Sequence, residues 1–189
     1  ENPQSSSSSS SSSLSNGLNE NNIKAFIHGG LTLVIGAPGS GKSTFARCLT
    51  MDLCEKQEQT KDIPFLASSK ANGSFFANLI EKSGRQSWWE LFQYLSTCEL
   101  SDIGTDPSYK LTLIVDGLDE LSDPQKTIQA LANFICYESN ANIIKRIIIT
   151  SRPGCVFQFG KIQNHFNLHQ RSQYKDNLVL NIAPFTGEN

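Results

Sequence analysis

The chain has 189 residues and a formal net charge of −2. That length suffices for one α/β domain with a sizeable core, and the near-neutral balance gives no global field that would draw nucleic acid. The cysteines Cys48, Cys54, Cys98, Cys136 and Cys155 are odd in number and form no C-x-x-C pair, which argues against a disulfide framework or zinc ribbon and for a reducing, cytoplasmic setting. Residues 1–22 carry an unbroken serine run, Ser5 to Ser13, followed by Asn-rich sequence. With almost nothing apolar to offset the entropy of ordering, they are expected to form a disordered, flexible linker. The folded domain is then expected over residues 23–189. No apolar run approaches the ~20 residues needed to cross a bilayer, and no secretory signal opens the chain, so no membrane partner is expected. The first residue is not Met, and Met51 is the single methionine; the chain is expected to be a piece of a longer protein.

From Ile23 onward strand-like and helix-like runs alternate. The strands are expected at Leu31–Ile35, Ile63–Ala67, Leu111–Val115, Ile147–Thr150 and Leu178–Ile182. The helices are expected from Ser43 to about Lys56, over Phe75–Lys82, from Ser87 to about Cys98, and over Pro124–Tyr137. The last opens with Asp123 as N-cap and Pro124 at the first helical position. Phe45, Ala46, Leu49 and Leu53 share a helical face, and Cys48 and Cys136 are read as small core residues of their helices. Trp88-Trp89 is read as one ring in the core and one at its edge. Lys145-Arg146 is too small a basic cluster to be a patch and reads as solvated surface. His28, His165 and His169 fit no metal motif, because Phe166 stands where a zinc-protease pattern needs Glu. Apolar strands alternating with helices predict a parallel sheet covered on both faces, with ligands beyond the carboxyl ends of its strands.

Three segments at such ends carry chemistry. Gly36-Ala37-Pro38-Gly39-Ser40-Gly41-Lys42-Ser43-Thr44 fits G-x-x-x-x-G-K-[ST] at every fixed position. The glycines let backbone N–H groups close around phosphate oxygens, Lys42 can reach the β- and γ-phosphates, and the Ser43 hydroxyl can hold Mg²⁺. The helix that follows turns its positive dipole end toward the anion. The second segment, Leu111-Thr112-Leu113-Ile114-Val115-Asp116, ends in the carboxylate that would contact Mg²⁺, directly or through water. It runs on into Gly117-Leu118-Asp119-Glu120, whose two further carboxylates are candidates for orienting or deprotonating the attacking water. Residue type alone does not separate Asp119 from Glu120. The third segment, Ile147-Ile148-Ile149-Thr150-Ser151-Arg152, ends in an arginine suited to sensing a γ-phosphate.

The combination GAPGSGKST, LTLIVDGLDEL and IIITSRPG resembles the nucleotide-binding domain of NACHT-type STAND ATPases, signalling NTPases that include innate-immune receptors. The resemblance spans Leu31 to about Pro153 and, more loosely, Asn181 to Thr186. It implies a P-loop NTPase three-layer sandwich with a five-stranded parallel sheet of AAA+-like order, in which the Arg152 strand lies between the P-loop and Asp116 strands. It implies phosphate contacts from Gly39, Gly41 and Lys42, Mg²⁺ contacts from Ser43 (with Thr44) and Asp116, distal acids at Asp119 and Glu120, and a sensor at Arg152. The arginine that often follows the family's second strand has only Lys70 as a poor counterpart. ATP and ADP are the implied nucleotides. Effector, helical, winged-helix and repeat domains would lie outside this chain, and with them the protein partners and any ATP-dependent homo-oligomer.

The function so implied is a nucleotide-controlled switch with slow ATP hydrolysis. A nucleotide kinase shares the string GAPGSGK but needs an Arg-rich lid that this sequence lacks. An ABC ATPase fits Gly29-Gly30-Leu31-Thr32-Leu33 but lacks its L-S-G-G-Q signature. An AAA+ motor, which also carries a polar sensor residue beside the P-loop strand, is the nearer alternative. A scaffold binding nucleotide only for stability would show no partner dependence on ATP versus ADP.

Overall fold

The computed structural model describes residues 30–92, 108–137, 143–155 and 178–182. The expected linker, the three histidines and the Asn181–Thr186 resemblance beyond Ile182 lie outside these residues, as does the helix expected beyond Phe92. Five parallel strands form one sheet: β1 (Gly30–Gly36), β2 (Asp62–Ser68), β3 (Lys110–Asp116), β4 (Ile144–Ser151) and β5 (Leu178–Ile182). Their spatial order is β2-β3-β4-β1-β5, so the Arg152 strand separates the P-loop strand from the Asp116 strand, as the resemblance implied.

The central strands are mostly apolar because helices cover both faces. Helix α1 (Lys42–Glu55) lies on one face, where Ala46 and Leu53 pack with Val34, Ile114 and Ile148, flanked by Phe45 and Leu49. The opposite face holds the larger core, in which Leu33, Leu113, Val115, Ile147 and Ile149 meet α2 (Gly73–Glu81), α3 (Trp88–Phe92) and α4 (Pro124–Cys136). Odd- and even-numbered positions of β1, of β3, and of β4 from Arg146 onward therefore serve different layers, as a period of two requires. Trp88 packs against the larger core. Helix α4 begins as its sequence predicts: Pro124 occupies the first turn, and the Asp123 carboxylate accepts a hydrogen bond from Lys126 N at 3.0 Å.

Two expectations are corrected. Cys48 lies in α1 but is exposed. It sits two residues past buried Ala46, about 200° around a 3.6-residue turn, so it faces away from the sheet. Strand β4 starts earlier than its apolar run, and Arg146 is only 5% exposed rather than solvated. The β3–β4 register slips between Leu111↔Ile144 and Thr112↔Arg146, leaving Lys145 as an extra residue that re-aims its neighbours. Consecutive Lys145 and Arg146 can therefore both approach buried Asp62: Lys145 Nζ lies 2.9 Å from both carboxylate oxygens, and Arg146 Nη2 lies 3.9 Å from Oδ2. Burial holds the Arg146 guanidinium below its usual range, with the Asp62 carboxylate opposing that shift only in part.

Candidate nucleotide-binding site

The parallel register brings four strand ends to one edge. Ile35 pairs with Ser151, Val115 with Ile149, and Ser68 with Asp116. The loop from β1 into α1 takes positive φ at Gly39 (77°) and Gly41 (90°), the backbone arrangement that turns successive N–H groups into an anion-binding concavity. A Cβ at either position would meet nothing within 4 Å, so the left-handed backbone rather than crowding requires glycine there. No side chain caps α1 and no acid occupies its first turn. Its dipole therefore faces the loop without a competing anion from either source. Lys42 crosses the loop, with Nζ donating to Gly36 O at 2.8 Å and Ala37 O at 2.9 Å.

Beside this loop lies an open cleft of about 320 Å³. Pro38, Gly39, Gly41, Lys42, Ser43 and Thr44 line one side. Asp116, Asp119, Glu120 and Arg152 line the other, with Lys70, Gly117 and Thr150. Of the residues expected from the sequence, Gly36, Ala37 and Ser40 do not line the cleft. Gly36 and Ala37 supply the carbonyls that hold Lys42, and Ser40 is buried.

Asp116 is 7% exposed, and its Oδ1 accepts from Ser43 Oγ at 3.2 Å and from Thr150 Oγ1 at 2.6 Å. The Ser43–Asp116 separation is close to the roughly 3.0 Å between adjacent corners of an octahedron with Mg–O bonds near 2.1 Å. Both groups are hard oxygen donors, so the residues present fit Mg²⁺. Among the described residues no group of three or more His, Cys, Asp or Glu side chains could hold a metal.

Thr150 was not singled out in the sequence. Its fully buried hydroxyl donates to Asp116 and accepts from Gly117 N at 2.9 Å, joining β4 to the turn after β3. Gly117, at φ 78°, starts a single 3₁₀ turn, Leu118–Glu120. A Cβ there would stand 2.8 Å from Ser69 Oγ. Leu118 anchors the turn in the core, and the two distal acids diverge from it. Asp119 turns to Arg152, whose Nε lies 2.9 Å from Oδ2 and whose backbone N donates to Oδ1 at 3.0 Å. Glu120 turns to the β2 end, where Ser69 Oγ donates to Oε2 at 3.2 Å and Lys70 Nζ lies 3.4 Å away. Lys70, by residue type a poor counterpart of the family's arginine, thus reaches the cleft. Its signal was position alone, at the carboxyl end of β2.

The NACHT domain family model matches residues 30–189. The chain belongs to the NACHT family. This NACHT domain is a nucleotide-binding P-loop ATPase domain, with the five-stranded α/β architecture described above. Solved structures similar to it include the Aeropyrum pernix ORC2 protein in ADPNP–ADP complexes, at 13% identity and TM-score 0.46, covering 90% of this chain and 50% of that one. The Aeropyrum pernix ORC1 protein in complex with DNA matches at 16% identity and TM-score 0.45, over 80% of this chain and 39% of that one. The cytoplasmic domain of the Thermomonospora curvata type VII secretion ATPase EccC matches at 15% identity and TM-score 0.48, over 82% and 20%. The chain thus spans half or less of the length of each. No curated protein matches it. Among the described residues no helix is long and apolar enough to cross a membrane.

Proposed function

We propose that this NACHT domain binds Mg·ATP, hydrolyses it slowly, and serves as the nucleotide-controlled switch of a cytoplasmic STAND-type signalling protein. The observation that carries the reading is the meeting of three separated segments in one cleft: the P-loop with Lys42, the Asp116 carboxylate against Ser43, and Arg152 from the end of β4.

In this reading the loop N–H groups from Gly39 to Thr44 and the α1 dipole hold the β- and γ-phosphates. Lys42 exchanges its two loop carbonyls for phosphate oxygens, a stronger partner for an ammonium. Ser43 and Asp116 would hold Mg²⁺, which when bound would supply positive charge against the β- and γ-phosphates. Glu120 accepts the proton of the attacking water: its present partners are an exposed hydroxyl contact and an ion pair to Lys70, which is 81% exposed, so little holds it from turning. Arg152 contacts the γ-phosphate, giving ATP a contact that ADP lacks, and only such a difference in affinity can shift a two-state equilibrium. ATP rather than another nucleoside triphosphate follows from the family.

Calorimetric titration of the purified chain with Mg·ATP, a non-hydrolysable analogue and ADP, together with phosphate-release kinetics, tests the proposal. Lys42→Ala is expected to abolish measurable binding. Asp116→Asn and Glu120→Gln should lose turnover more than binding. Unchanged Mg·ATP affinity in Lys42→Ala would refute the reading.

A further inference from the structure

We infer that Asp119 is a positioning residue which aims Arg152 at the γ-phosphate, so that the paired distal acids divide their work and only Glu120 is left to act on water. This deepens the proposed function and rests on it.

The division follows from how each carboxylate is held. Asp119 is gripped at two points by one residue, through the side-chain Nε at 2.9 Å and the backbone N at 3.0 Å. The backbone bond fixes where the chain leaves β4, and the Nε bond fixes the direction of the guanidinium. Both are charge-assisted, the stronger class of hydrogen bond. The Asp119 side chain is 10% exposed while that of Arg152 is 52% exposed, so the buried partner is the fixed one. The fixture is itself rigid, since Gly117 sets the turn, Leu118 is buried beneath it, and Glu120 N closes it onto Gly117 O at 2.9 Å.

A guanidinium has five N–H donors in one plane. Asp119 takes the one on Nε, which leaves the four on Nη1 and Nη2 to face a ligand from a cleft that Arg152 and Lys42 both line. An arginine held this way meets a phosphate with its rotamer freedom already reduced. If Asp119 took a proton from water, it would neutralise the charge that holds the guanidinium, so the sensing and base roles compete for one carboxylate. Glu120 carries no such duty. Its contacts, at 3.2 Å to Ser69 and 3.4 Å to Lys70, involve no residue that reads the γ-phosphate in this scheme.

The experiment compares affinities for a non-hydrolysable ATP analogue and for ADP, both with Mg²⁺, in the wild type, Asp119→Asn, Arg152→Ala and the double variant. The expected result is a fall in the ATP-analogue preference of about tenfold in Asp119→Asn. Arg152→Ala should show a similar fall, and the double variant no further one, as for two residues in a single interaction. The Arg152 Nε–H resonance, followed by ¹⁵N NMR, should be protected from solvent exchange in the wild type and lose that protection in Asp119→Asn. Should Asp119→Asn fold poorly, Arg152→Lys substitutes for it, because lysine keeps the charge but cannot satisfy carboxylate and phosphate on separate edges; the same loss of preference is expected. Retained preference with turnover lost as in Glu120→Gln would overturn the inference and make Asp119 the base. No ATP-analogue preference in the wild type, or no effect of Arg152→Ala, would overturn the switch reading and this inference together.

Discussion

Replacing Thr150 by valine tests whether the site is built as one hydrogen-bonded unit. Valine matches the shape of threonine but lacks the hydroxyl. At 0% exposure that hydroxyl donates to Asp116 Oδ1 at 2.6 Å and accepts from Gly117 N at 2.9 Å. A hydrogen bond to a charged acceptor contributes about 1.5–3 kcal/mol. The Gly117 N–H would also lose its acceptor, at a cost of about 1 kcal/mol because Gly117 is only partly buried. The total is about 2–4 kcal/mol, which for a domain of this size lowers Tm by about 5–15 °C. Urea unfolding with an unchanged m-value, read by circular dichroism, measures the loss. Thr150→Ser keeps the oxygen and should recover all but the roughly 1 kcal/mol of the missing methyl. Mg·ATP affinity should fall in the valine variant and return in the serine one. A valine variant within about 0.5 kcal/mol of wild type, the range of an inert surface change, would refute the reasoning. So would a serine variant as unstable as the valine one.

Gly84→Ala should cost about 2–5 kcal/mol in the same assay, from overpacking and left-handed backbone strain. A Cβ there would stand 1.9 Å from Ala130 O at φ +71°, forcing α4 to move, and a neutral result would mean that α4 yields freely. Asp62→Ala removes the carboxylate that faces both Lys145 and Arg146 and should cost about 3–5 kcal/mol, since a buried cation loses its counter-charge. Asp62→Asn should destabilise as well, and a stable Asp62→Ala protein would show that the cluster contributes nothing. Asp123 accepts from the Lys126 backbone N–H, which with the Lys126 side chain holds its carboxyl below the usual range. Its capping contribution is therefore complete above the ordinary aspartate value of about 3.9 and fades as pH falls below it. Asp123→Ala should be less stable than wild type at neutral pH, with the gap narrowing in acid, as followed by thermal unfolding at several pH values.

What can be read from residue order is what is local. The P-loop, the five strands, the Asp123 cap and the helix starts follow from neighbours within a few residues, where periodicity and backbone preference act. The strand ends holding Asp116 and Arg152 were legible for the same reason: each closes an apolar run at the edge where such sheets bind ligands. Contacts across strands were not. The exposure of Cys48 depended on which side of α1 met the sheet, and the burial of Arg146 on a one-residue slip against β3 that local charge does not encode. The union of Thr150 with Asp116, the reach of Lys70 into the cleft and the grip of Asp119 on Arg152 all join residues more than thirty positions apart. Their distances are set by the strand order β2-β3-β4-β1-β5, so only the folded sheet could separate two adjacent acids into a partner for Arg152 and a partner for Ser69 and Lys70 at the end of β2.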